Sequence, residues 1–194
     1  MQKPNATGYF ITVEGIEGAG KSTAIQFVHS LLLQAQIPHE ITREPGGTEI
    51  AEKIREVLLQ HYQEFMLADT ELLLMFASRA QHLGQLIQPA LAQGKWVLCD
   101  RFTDASFAYQ GGGRGIAWER IEQLESWVQR SLRPDYILLL DVTAEIGLER
   151  IQKRSAQDRI EKERVQFFER VRDAYLARAQ KDPLRYKIID AGQP

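Results

Sequence analysis

Residues Gly15-Ile16-Glu17-Gly18-Ala19-Gly20-Lys21-Ser22 fit the spacing G-x-x-x-x-G-K-[ST]. Each fixed position has a chemical reason. Glycines let the backbone curl until successive N–H groups face inward, which makes a concave anion site. A helix that starts at the lysine aims its positive end at the bound group. Lys21 adds a full positive charge, and the Ser22 hydroxyl suits Mg2+. The stretch "EGIEGAGKST", through Thr23, therefore reads as a cradle for the phosphates of a nucleoside triphosphate with Mg2+. Asn5 is the only asparagine, so the guanine-reading pattern N-K-x-D is excluded and ATP is the expected nucleotide. Glu17 is the odd member of the cradle. A carboxylate facing bound phosphate would be repelled. The loop binds through backbone and lysine, so Glu17 is expected to point outwards, towards an acceptor.

A phosphate loop does not by itself separate a kinase from a hydrolytic switch. Phosphoryl transfer also needs charge neutralisation around the moving group and an acceptor held in line. Arginine suits both tasks, because its planar fork matches phosphate oxygens. The stretches "TREPGG", "AEKIRE", "MFASRAQ", "CDRF" and "KRSAQDRIE" supply such candidates.

Positioning these residues requires a scaffold. Short β-rich runs alternate with longer helical patterns. Strands are expected at Tyr9–Gly15, in "HEITREP", at Trp96–Asp100, in "YILLLD" and at Tyr186–Asp190. Helical patterns run from Ser22 to about Ala35, Ala51 to Gln60, Glu71 to Gln93 around Pro89, Trp118 to Leu132, Glu145 to Arg154 and Glu161 to Gln180. Apolar strands separated by helices predict an α/β fold, a five-stranded parallel sheet with helices on both faces. Ligands of such sheets gather beyond the carboxyl ends of the strands. Gly15–Ser22, Arg43–Gly47 and Asp100–Arg101 all fall there.

Composition narrows the class. The 194 residues are 44% hydrophobic and 26% charged, an ordinary globular balance read as a single domain over 1–194. The net charge of −2 offers no basic field for nucleic acid. The one cysteine, Cys99, cannot form an internal disulfide, which fits a reducing compartment. The N-terminal "MQKPNATG" lacks a secretory core, and "YILLL" is too short to span a bilayer. The expectation is a cytoplasmic protein without nucleic-acid or membrane partners.

In order and spacing, "EGIEGAGKST", "TREPGG", "DRF…AYQGGGRG" and "DRIE" resemble the thymidylate kinase family, in its bacterial-type subgroup, from about Tyr9 to Gln193. The resemblance implies a P-loop nucleoside monophosphate kinase fold with a lid at about 152–163. It implies direct transfer of a phosphoryl group from ATP to dTMP, with Mg2+, in a homodimer. Arg101 and Arg55 would grip the acceptor phosphate, and Asp100 would organise Mg2+ through water. Arg79 would hydrogen-bond the thymine. The family's stacking aromatic falls at Met75, and Phe76 is the other candidate on that helix face. Ser106, Tyr109 and Gln110 would line the acceptor pocket, with Glu44 and Pro45 as its wall and Tyr109 crowding a ribose 2′-hydroxyl. Glu17 would meet the deoxyribose 3′-hydroxyl, directly or through water near the phosphates. Relatives carry arginine at the position of Gly18, so charge stabilisation is expected from the lid. Arg154 and Arg159 share the roles of adenine stacking and transition-state charge, in either order. "GGGRG" is expected to be a flexible loop. Family members continue beyond "DAGQP" into a further helix, whereas this sequence stops at Pro194.

Overall fold

The structure is a computed structural model that describes residues 8–152, 158–161 and 163–193. Five parallel strands form one sheet: β1 (Phe10–Glu14), β2 (His39–Arg43), β3 (Trp96–Asp100), β4 (Tyr136–Asp141) and β5 (Tyr186–Asp190), in the order β2-β3-β1-β4-β5. β1 is central and buried along its whole length. Alternation along the pleat sends Ile11, Val13 and Leu98 into one core and Phe10, Val97 and Cys99 into the other. Each such fully buried apolar side chain contributes about 1.5–3 kcal/mol relative to exposure.

Helices α1 (Lys21–Gln34) and α8 (Val165–Lys181) cover the first face, through Ile25 and through Phe168 and Val171. On the second face, α3 (Ala68–His82) runs through a π-helical turn, Leu83–Ile87, into α4 (Gln88–Ala92). The turn stands just before Pro89, which has no N–H to donate, and a widened turn absorbs the missing bond. Helices α2 (Glu49–Leu59), α6 (Trp118–Gln129) and α7 (Ala144–Gln152) complete the layers.

One expectation is corrected here. "GGGRG" is not a flexible loop. Helix α5 (Thr103–Ser106) continues as a π-helix, Phe107–Gly113, that takes in three of these glycines. Neighbouring helices leave these glycines no room for a side chain: a Cβ on Gly112 would fall 2.6 Å from the Arg170 carbonyl oxygen of α8, and one on Gly111 2.7 Å from Trp118 Nε1.

Candidate active site

β1 ends at the buried Glu14, and the chain turns at once through Gly15 (φ 136°), Gly18 (φ 74°) and Gly20 (φ 91°) into α1. These left-handed values suit glycine. Lys21 Nζ donates to the carbonyls of Gly15 (3.2 Å) and Ile16 (3.0 Å), so the lysine spans the loop. Burial, and secondarily Arg101, lower the Lys21 ammonium to about 8. The loop rests on α7. A Cβ on Gly18 would stand 2.2 Å from the Gly147 carbonyl oxygen, and one on Gly147 would stand 2.6 Å from that of Glu17. An arginine at the position of Gly18 would therefore displace α7.

Parallel pairing brings the strand ends together. Asp100 is in register with Val13 on one side and Arg43 on the other. Asp100 and Ser22 line one groove beside the loop. Asp100 Oδ1 is buried without a hydrogen-bond partner, which is costly unless a cation or bound water meets it.

Arg101 follows in a left-handed conformation (φ 66°). Its Nη1 donates to the Gly15 carbonyl (2.8 Å) and the Tyr175 hydroxyl (3.0 Å), and its Nη2 to Glu17 Oε1 (2.8 Å). The Tyr109 hydroxyl donates to Glu17 Oε2, and the Tyr109 ring lies 4.8 Å from the Arg101 guanidinium carbon. Glu17 thus points out of the phosphate loop, as its charge requires. Beneath it, the Tyr175 hydroxyl and the Phe102 N–H donate to Glu14, whose carboxyl is pushed up to about 8 by burial and then by the Asp104 charge.

Next to this cluster opens a cleft. Its walls include Glu17, Glu44, Pro45, Arg55, Met75 and Arg79, and across from them Arg101, Ser106, Tyr109 and Gln110. All the residues expected around an acceptor meet there except one. Phe76 is 2% exposed, packed with Leu72, Phe107, Ile116 and Ile121. Positions 75 and 76 differ by about 100° around a helix, so only Met75 turns to the cleft. Phe76 instead lies under Arg79, its ring centroid 4.6 Å from the guanidinium carbon. Arg79 is itself 2% exposed. Its Nε donates to Glu44 Oε2 (2.7 Å), and its Nη2 donates to the Phe102 carbonyl and the Ser106 hydroxyl (both 3.1 Å). Nη1 alone is buried without a partner. Arg55 donates from Nη1 to the Pro45 carbonyl (2.8 Å).

The segment expected to form a lid, 152–163, is only partly described. Arg154 lies outside the described residues. Arg159 donates to the Leu58 carbonyl (3.0 Å) and to Glu71 Oε2 (2.6 Å). Arg150 donates to the carbonyls of Gly18 (3.3 Å) and Ala191 (3.0 Å).

Sequence reasoning missed several members of the site. Phe102, Leu59, Ala105, Asp158 and Ile160 also line the cleft. Phe102 carried a signal, since it follows the Asp100–Arg101 pair. Tyr175 and Glu71 sit in ordinary helical patterns and carried none.

The thymidylate kinase family profile matches residues 13–194. A thymidylate kinase of Pseudomonas fluorescens is 59% identical over 188 residues, 97% of this chain and 90% of that protein. One from Teredinibacter turnerae is 56% identical over 188 residues, 97% and 92% of the two chains. Among solved structures, thymidylate kinase from Ehrlichia chaffeensis superposes with a TM-score of 0.78 at 34% identity, covering 94% of this chain and 93% of that one.

Proposed function

Because the chain belongs to the thymidylate kinase family and so phosphorylates dTMP to dTDP with ATP, we propose that the Gly15–Thr23 loop holds ATP and the cleft around Arg79 and Arg101 holds dTMP. The observation that carries this assignment is the unpartnered Nη1 of Arg79. A buried guanidinium N–H without an acceptor is costly. A pyrimidine carbonyl entering the cleft would satisfy it.

Arg55 and Arg101 supply two guanidinium groups for the acceptor phosphate. Met75 and Phe102 offer apolar surface for the base. Tyr109, held by Glu17, bounds the sugar, and Glu17 meets the 3′-hydroxyl. Transfer is in line and without a covalent intermediate. No general base is needed, because the attacking oxygen belongs to an ionised phosphate. Lys21 and the loop N–H groups hold the donor phosphates.

The residues beside the loop suit Mg2+. Asp100 offers a buried oxygen with no protein partner, and Ser22 lines the same groove. Asp100 would hold the ion through water and Ser22 directly. When bound, Mg2+ neutralises charge on the donor phosphates. Arg159 would leave Glu71 and reach the transferred group only when the lid closes; Arg154 is the second lid candidate.

A homodimer completes the reading. Trp127 is 78% exposed and shares an apolar groove with Leu73, Leu124 and Val128. A second copy of the chain would cover that groove by two-fold pairing.

An acceptor panel with Mg·ATP tests the site. ADP release should rise with dTMP well above thymidine, which lacks the phosphate that Arg55 and Arg101 would grip. Equal turnover of the two would defeat the acceptor assignment.

A further inference from the structure

Apart from holding Arg159, Glu71 has no role in the reading above, yet it is 1% exposed at the start of α3. Its carboxylate accepts four hydrogen bonds. Oε1 receives Gln110 Nε2 (2.8 Å) and Arg114 Nε (3.2 Å). Oε2 receives Arg114 Nη2 (3.2 Å) and Arg159 Nη2 (2.6 Å). Four is the full capacity of a carboxylate. Burial alone would push this carboxyl up. Arg114, Gln110 and Arg159 outweigh it and hold the carboxyl below its ordinary value, so Glu71 is an anion.

An anion can only accept. The terminal atom of Gln110 that faces Glu71 must therefore be the amide nitrogen, and the orientation of the amide is fixed. Gln110 is 1% exposed and lines the cleft. The atom left for a ligand is its amide oxygen, an acceptor. Arg79 meets the same cleft with a free donor, Nη1. One donor and one acceptor match the 4-carbonyl and 3-NH edge of thymine or uracil. Cytosine presents the reverse pair, an amino group and a bare ring nitrogen.

We propose that Glu71 is a positioning residue for acceptor specificity, fixing the Gln110 amide so that the cleft selects 4-oxopyrimidine over 4-aminopyrimidine nucleotides. The inference rests on the assignment of the cleft to the acceptor. Glu71 touches no substrate and acts through Gln110. Its contact with Arg159 gives it a second effect, on the lid, which falls equally on all acceptors and cancels from a ratio.

The test compares kcat/KM for dTMP and dCMP with Mg·ATP in the full chain. Glu71→Gln removes the obligatory acceptor and lets the Gln110 amide turn. The dTMP-to-dCMP ratio should fall about tenfold, the scale of one polar mismatch, whatever happens to either rate alone. Damage to the fold alone would lower both rates and leave the ratio. Where Glu71→Gln melts too low to assay, Glu71→Asp keeps a negative charge in the cluster but draws the carboxylate back from Gln110, and the same fall is expected. In a Gln110→Met background, Glu71→Gln should leave the ratio unchanged. An unchanged ratio in the single variants, or a further fall in that background, overturns the inference. A parent protein with no preference for dTMP over dCMP would instead overturn the acceptor assignment beneath it.

Discussion

Arg101 Nη2 donates to Glu17 Oε1 at 2.8 Å across a separation of 84 residues. The pair joins the phosphate loop to the end of β3, and both residues line the cleft beside the loop. It also accounts for a negative charge within an anion loop. The Glu17 carboxylate is neutralised by Arg101, capped by Tyr109 and turned away from the cradle.

Glu17→Gln should therefore act on the acceptor. The KM for dTMP is expected to rise about tenfold, consistent with loss of one charge-assisted bond, while the KM for ATP changes little. Steady-state kinetics with each substrate varied in turn measures both. Equal increases would remove Glu17 from the acceptor site.

Arg101→Lys keeps the charge and loses the fork. Arg101 bonds Gly15, Tyr175 and Glu17 at once, a geometry an ammonium cannot copy. kcat/KM for dTMP should fall roughly a hundredfold, the cost of two such bonds. Affinity for ATP alone, read by calorimetry, should hold. A fall of less than about threefold would make Arg101 only a structural tie.

Gly147→Ala tests the seat of the loop. The added methyl would fall 2.6 Å from the Glu17 carbonyl oxygen, a backbone atom that cannot swing aside. A loss of about 1–3 kcal/mol in stability is expected from overpacking, with a higher KM for ATP. An unaltered melting temperature and KM would show that α7 gives way freely.

Glu14 sets a pH dependence. Its carboxyl is raised by burial and the Asp104 charge from 4.5 to about 8 in the folded chain. The folded state then holds a proton that the unfolded chain releases near pH 4.5. The stability this contributes is complete below pH 4.5 and is lost as pH rises through about 8. Lys21, lowered from 10.5 to about 8, has the opposite slope, but only above pH 8. Between pH 5 and 8 the melting temperature of Glu14→Gln should therefore fall less with pH than that of the parent. Parallel profiles would mean that Glu14 is ionised throughout.

Trp127→Glu should convert a dimer to a monomer in sedimentation velocity, because a buried unpaired charge would oppose pairing at that groove. A parent that already sediments as a monomer would discard the two-fold arrangement.

Much of this molecule is legible from local pattern. The five strands fall within a residue or two of the expected bounds; for the inner strands β1, β3 and β4 the reason is that buried strands read as short apolar runs, whereas the edge strands β2 and β5 are largely exposed. The phosphate loop is legible because its function depends on contiguous residues. Arg55, Arg79 and Arg101 stood out as candidates in their stretches, but their separate roles came only from the family resemblance, since a single arginine on a helix or at a strand end has no signature of its own. The π-helix at Phe107–Gly113 was misread, because glycines that signal a turn in isolation here admit the close approach of α8.

The sequence by itself determined the chemistry available: a triphosphate cradle, a lysine, several arginines and a parallel sheet to align them. Only the tertiary structure decided which groups face which. Met75 and Phe76 are adjacent and similarly apolar, yet one lines the cleft and the other the core. Glu71 reads as one more helical carboxylate, yet folding closes Gln110, Arg114 and Arg159 around it. The reason is physical. Periodicity encodes which face of an element is buried, a local property. The partners of a buried charge come from elements far apart in the chain, and only packing selects them.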